Sequence, residues 1–178
     1  MQKSRVKYVV ALATVGVLGF GGAAVAHDRE SSNAEGRLTG FEEVPALSTP
    51  GSGDFRAALN RSGDTIRYRL SFDNLESPAT QAHIHFENRT NSGPVVVFLC
   101  SNLGNGPAGT QPCPADGGRI RGEISADDVL GGAAAQGLAA GEFEEFVNAI
   151  DAGATYVNVH TTGRPPGEIR AQLDDHDH

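Results

Sequence analysis

Thr65-Ile66-Arg67-Tyr68-Arg69-Leu70-Ser71-Phe72 decides the fold class. Ile66, Tyr68, Leu70 and Phe72 alternate with Thr65, Arg67, Arg69 and Ser71. Side chains of a strand point to opposite faces in turn, so this stretch has one apolar and one wet face. Just upstream, residues 54–60 place Phe55, Ala57 and Leu59 on one face. Between the two runs, Arg61-Ser62-Gly63-Asp64 is a turn signal, and the pair reads as a β-hairpin.

The same punctuation continues outward. A short strand is expected over 37–41, another over 80–87, a more buried one over 95–99, and one over 119–124. The final strands fall at 155–161 and 168–173. Ser125 followed by Asp127 and Asp128 looks like a helix start. The one strong helical pattern is 142–150, where Phe143, Phe146, Val147 and Ile150 recur at i, i+3, i+4 and i+7, with Gly153 as the stop. Gly and Pro together number 32 and are scattered between apolar runs, as turns between short strands require. The expectation is an all-β domain, a β-sandwich or flattened Greek-key barrel of about 7–8 antiparallel strands with one short inserted helix.

The N-terminus carries a different message. Lys3, Arg5 and Lys7 precede an uncharged apolar run over 8–20, and small residues follow, ending Ala24-Val25-Ala26. Those are the three parts of a secretory signal peptide, expected over 1–26. No twin-arginine pair and no Cys after the apolar run are present, which points to the general secretion route and away from a lipoprotein. The alternative is an uncleaved anchor, because residues 8–26 are just long enough to span a bilayer. Cleavage leaves 152 residues beginning at His27, with a flexible segment over 27–36, the β domain over 37–173 and an acidic, histidine-bearing tail over 174–178. The expected location is secreted or periplasmic, with no membrane association after cleavage.

Removing the signal leaves 11 Arg, no Lys and 22 acidic residues, a formal charge of −11. Nucleic-acid binding needs a basic surface, so that class is disfavoured. Cys100 and Cys113 lie in the exported part and flank a loop over 101–112 with three Gly and two Pro. They are expected to form a disulfide rather than a redox pair.

The chemistry-bearing residues are histidines. His83 and His85 are two apart in a strand and share its polar face; His160 lies on the polar face of another strand. Neutral imidazoles suit copper, zinc, iron or nickel, and three of them leave an open coordination position. Because Ile84 and Val159 point inward, the site is expected on the outer surface of the sheet. Against this stands the reading of three ordinary polar-face histidines. Glu87, Glu123 and Glu168 are candidate further ligands, each with a solvated carboxylate as the alternative. His27, as a new N-terminus, and the tail His176 and His178 are rival chelating positions. No nucleophile motif, phosphate loop or dinucleotide fingerprint is present, so no catalytic residue is assigned.

Leu38-Thr39-Gly40-Phe41-Glu42-Glu43-Val44-Pro45, Ala82-His83-Ile84-His85, Tyr156-Val157-Asn158-Val159-His160-Thr161 and Pro166-Gly167-Glu168-Ile169-Arg170 together resemble the CHRD domain, the repeat first named from chordin. Ala171 stands where that family usually has Gly. The resemblance implies an extracytoplasmic β-sandwich, single-domain as in secreted bacterial members, and implies little about activity. The H-x-H with a distant strand His is also similar to copper–zinc superoxide dismutase. That enzyme family needs further histidines and an Asp for its zinc, so a dismutase reading rests on analogy alone. The leading expectation is an exported metal-binding domain using His83, His85 and His160, with copper as the ion and zinc as the competitor. The alternatives are a non-catalytic envelope binding or structural module, and a dismutase-like copper redox enzyme.

Overall fold

The computed structural model describes residues 33–175. The signal peptide expected over 1–26, His27 and the tail residues His176 and His178 lie outside the described residues. Eight strands form one antiparallel sheet: β1 (Asn33–Thr39), β2 (Ser52–Leu59), β3 (Ile66–Asp73), β4 (Ala79–Phe86), β5 (Val95–Ser101), β6 (Gly118–Ile124), β7 (Thr155–Thr161) and β8 (Ile169–Asp175). Their order is β5-β4-β7-β8-β1-β2-β3-β6, so the last strand lies beside the first. This is the expected all-β antiparallel architecture, realised as a nearly closed barrel rather than two separate sheets. The first strand begins earlier than the sequence pattern suggests, at Asn33, because residues 33–39 are paired along their length with β2.

The predicted hairpin is β2–β3, in register from Ser52↔Asp73 to Leu59↔Ile66. Its turn is held by Asn60, whose Oδ1 accepts from Gly63 N at 2.9 Å and Asp64 N at 3.1 Å. Gly63 sits at φ 76°, a conformation that a Cβ would strain. Both strands alternate buried and exposed, as their sequences dictate.

The sheet ends, β5 and β6, are not paired by a ladder. The Gln111 amide bridges them instead, donating to Leu99 O and Arg121 O at 3.1 Å each, and Tyr68 Oη donates to Leu99 O at 3.1 Å. Side chains thus cover two strand edges that would otherwise present free backbone groups. The loop carrying Gln111 is tied to β5 by the Cys100–Cys113 disulfide, S–S 2.03 Å.

The one α-helix among the described residues, α1 (Phe143–Asp151), buries Phe143, Phe146, Val147 and Ile150 in the same core that Ile84, Val157, Val159 and Ile169 enter from the strands. The helix start expected at Ser125 is a short 3-10 turn, Ala126–Asp128, with Asp128 Oδ2 accepting from Ser125 N at 2.8 Å. The small residue at Ala171 has a packing cause: a Cβ built on Gly36 would lie 2.8 Å from the Ala171 Cβ, so β1 and β8 are already in close contact there.

The most consequential departure concerns β7. All seven of its residues are buried, so neither face is wet. The face carrying Tyr156, Asn158 and His160 is the outer one of the sheet, but loops roof it over. The loop after β4 supplies much of that roof. Arg170 Nη1 and Nη2 donate to Asn91 O (2.9 Å) and Asn88 O (3.1 Å), and Gln172 Nε2 donates to Glu87 O (2.9 Å).

Candidate metal centre

Two neighbouring strands deliver the histidines. In β4, His83 and His85 are two residues apart and project to the same side. Strand β7 lies antiparallel beside it, pairing Gln81 with His160, His83 with Asn158 and His85 with Tyr156. His160 is therefore one position diagonal to His83 on the shared face. One suitable nitrogen from each of His83, His85 and His160 lies within 4.8 Å of the others. Among the described residues no carboxylate or thiolate belongs to this group.

The surface location expected for the site is corrected by the structure. His83, His85 and His160 are only 3%, 6% and 6% exposed. The sequence pattern correctly separated them from the apolar face but could not reveal that the loops after β4 and β7 fold back over them. Phe98 of β5 packs edge-on against His83 at 4.3 Å between ring centres. Tyr156 stacks flat on His85, 4.6 Å between centres at 5°.

Hydrogen bonds orient the rings. His85 Nδ1 lies 2.8 Å from Gly93 O, and His160 Nδ1 lies 2.8 Å from Pro165 O. A carbonyl only accepts, so both Nδ1 atoms carry the proton and both Nε2 atoms present a bare lone pair. His83 Nδ1 lies 3.2 Å from His160 Nε2. Two nitrogens at about 2.0–2.1 Å from a shared ion and 3.2 Å apart subtend about 100°, an ordinary ligand angle. The Nε2 atoms of His83 and His85 are buried and have no hydrogen-bond partner in the protein. Buried polar atoms are rarely left this way unless something else engages them. Three nitrogens at about 2.0–2.1 Å from one ion lie about 3.3–3.6 Å apart, so separations of up to 4.8 Å require inward ring movements of up to about 1.5 Å to close the cluster.

Electrostatics keep the rings neutral. Burial pulls the His83 pKa down to about 3, with further lowering from His160 and His85. Burial likewise takes His85 to about 4, against the opposing bond to Gly93. His160 is also lowered by burial, opposed by Pro165. Neutral imidazole is the form that ligates.

The other candidates fall away from the cluster. Glu168 is fully buried, not solvated: its Oε1 accepts from Thr49 Oγ1 (2.8 Å) and Glu76 N (2.7 Å), its Oε2 from Thr161 Oγ1 (2.7 Å). It is a structural clasp joining three segments. Glu123 pairs with Arg67 on the surface at 2.9 Å, and Glu87 accepts from its neighbour Asn88 N at 3.0 Å.

Sequence reasoning missed the rest of the buried polar face. Arg170 is 1% exposed, with its guanidinium carbon 3.4 Å from the Tyr156 ring centre. Near it, Glu43 is pushed up to about 7 by burial, which outweighs the Arg170 charge. Gly167, at φ 140°, lets Glu43 approach where any side chain would collide with its carboxylate. The available signal was phase: Tyr156, Asn158 and His160 alternate with Val157 and Val159, and Arg170 and Gln172 alternate with Ile169, Ala171 and Leu173.

No curated protein and no solved structure matches the chain at a significant level. A family model for the CHRD domain matches residues 35–173. That span opens within β1, closes within β8 and includes all three histidines, and on it the chain belongs to the CHRD domain family.

Proposed function

We propose that this protein is an exported metal-binding CHRD domain that holds one copper ion on His83, His85 and His160, with zinc as the competing ion. One observation carries the reading. Three imidazoles from two strands converge, two of them oriented by backbone carbonyls, and the buried His85 Nε2 lone pair has no partner in the protein. Neutral imidazole nitrogen suits copper and, as the competing ion, zinc. The three histidines fill a ligand role, and no residue is assigned a catalytic one.

Calorimetric titration with copper and with zinc, on tag-free protein, tests this. One ion per chain, lost in His83→Ala, supports it. If neither ion binds, the domain is a binding or structural module with incidental histidines. Export is the companion proposal, resting on the composition of residues 1–26. Intact mass of protein recovered outside the cytoplasm should correspond to a chain beginning at His27; retention of Met1 in a membrane fraction would show an anchor instead.

A further inference from the structure

We infer that the ion for which this site is shaped is monovalent copper, Cu(I). The inference rests on the copper reading above and extends it to the oxidation state. Three independent features of the site point the same way.

The first is charge. The ligand group is three neutral imidazoles with no carboxylate or thiolate. The nearest formal charge in the ring stack is positive. Arg170 lies 3.4 Å over Tyr156, and Tyr156 lies flat on His85. The cost of holding an ion away from water rises with the square of its charge, so a dication costs about four times a monocation in the same pocket. Nothing in this group offsets the second charge.

The second is the outer hydrogen bonds. A histidine ligand that donates to a carboxylate gains negative character and favours the more highly charged ion. His85 and His160 donate to the carbonyls of Gly93 and Pro165, which carry no net charge.

The third is coordination number. Cu(II) prefers four or more tetragonal nitrogen or oxygen donors. Here Phe98 lies against His83 and Tyr156 covers a face of His85, so two flanks are occupied by rings. Asn158, paired across the strands with His83, has a buried Oδ1 without a partner. It can add one neutral oxygen at most. Cu(I), with a filled d shell, is satisfied by three nitrogens.

The experiment uses the exported protein carrying His27→Ala, His176→Ala and His178→Ala, so that the termini do not bind copper. Cu(I) affinity is measured anaerobically by competition with bicinchoninate, Cu(II) affinity by competition with glycine, and zinc affinity by competition with a dye. The expected result is one Cu(I) per chain, bound at least about 100-fold more tightly than Cu(II). That ratio places the bound couple about 118 mV above that of aqueous copper, at 59 mV per tenfold. Asn158→Asp should narrow the ratio at least about tenfold, because a carboxylate favours the dication; a purely structural asparagine would not shift it in that direction. If Asn158→Asp does not fold, the ratio for the parent protein decides alone. Tighter His83-dependent binding of Cu(II) or zinc than of Cu(I) overturns the inference and leaves the metal reading standing. No His83-dependent binding of any of the three ions sinks both.

Discussion

His83 Nδ1 lies 3.2 Å from His160 Nε2, although 77 positions separate the two residues in the chain. The contact exists because β4 and β7 are neighbours in the sheet, with β5, β6 and α1 intervening in sequence. Since Pro165 O holds the proton on His160 Nδ1, a hydrogen bond between the rings uses the His83 Nδ1 proton. An ion held by these two nitrogens would replace that hydrogen bond.

His83→Ala, His85→Ala and His160→Ala should each weaken copper binding by more than about 100-fold. Loss of an outer-shell partner alone typically costs 10–100-fold, and these are the ligands themselves. His27→Ala and removal of His176 and His178 should leave the buried site's affinity unchanged. Because the three rings are buried, each alanine variant should also cost the apo protein about 1–3 kcal/mol. Calorimetry and denaturant titration on the same samples separate the two effects. A His160→Ala protein that binds as tightly as the parent, while His27→Ala loses binding, would move the site to the N-terminus.

Acid should destabilise the metal-free protein through these histidines. Their folded pKa values, about 3 for His83 and about 4 for His85, lie below the ordinary 6.5. The unfolded chain therefore binds more protons between those limits, and stability falls as pH falls. The histidine contribution should be complete above about pH 6.5 and lost progressively toward pH 3–4. Urea midpoints for the parent and His83→Ala at pH 7 and pH 5 provide the check. Equal pH slopes in the two proteins would show that His83 is not held neutral by burial.

Glu168→Ala should be severely destabilising, by more than about 3 kcal/mol, since it strands three buried or half-buried donors: Thr49 Oγ1, Glu76 N and Thr161 Oγ1. Protein that remains folded should still bind one copper ion, because Glu168 lies outside the histidine group. Thermal melts with and without copper read both quantities. Loss of binding by folded protein would give Glu168 a ligand role after all.

Removing the disulfide by Cys100→Ala and Cys113→Ala should cost about 3 kcal/mol in the chain-entropy model, from the 13-residue separation it closes. The barrel should persist, because its core is spread over all eight strands. Circular dichroism and a denaturant series would report each. Thiol labelling of both cysteines in native exported protein would show that the bond does not form.

Strand and helix were legible wherever one side of an element met solvent. The β2–β3 hairpin alternates because one of its faces is wet, and α1 shows helical spacing because one of its faces is buried. The pattern misled at β7. Polar residues there alternate as on an exposed strand, yet all seven are buried, because the loops after β4 and β7 cover that face: Pro165 O accepts from His160 Nδ1 and Gly93 N donates to Tyr156 Oη. Glu168 misled for the same reason: a carboxylate reads as solvated until its donors are seen. Those donors come from residues 49, 76 and 161, far apart in the chain.

The sequence by itself determined the all-β class, the hairpin, the helix and the shared face of His83 and His85, since period-2 and period-3.6 patterns are local consequences of backbone geometry. Only the tertiary structure decided that β4 and β7 are neighbours, that His160 reaches His83, and that the site is roofed rather than exposed. Strand order and loop closure depend on how the whole core packs, and no local pattern records that. Burial in turn holds the imidazoles neutral, and neutral imidazole is the form that could hold a metal ion.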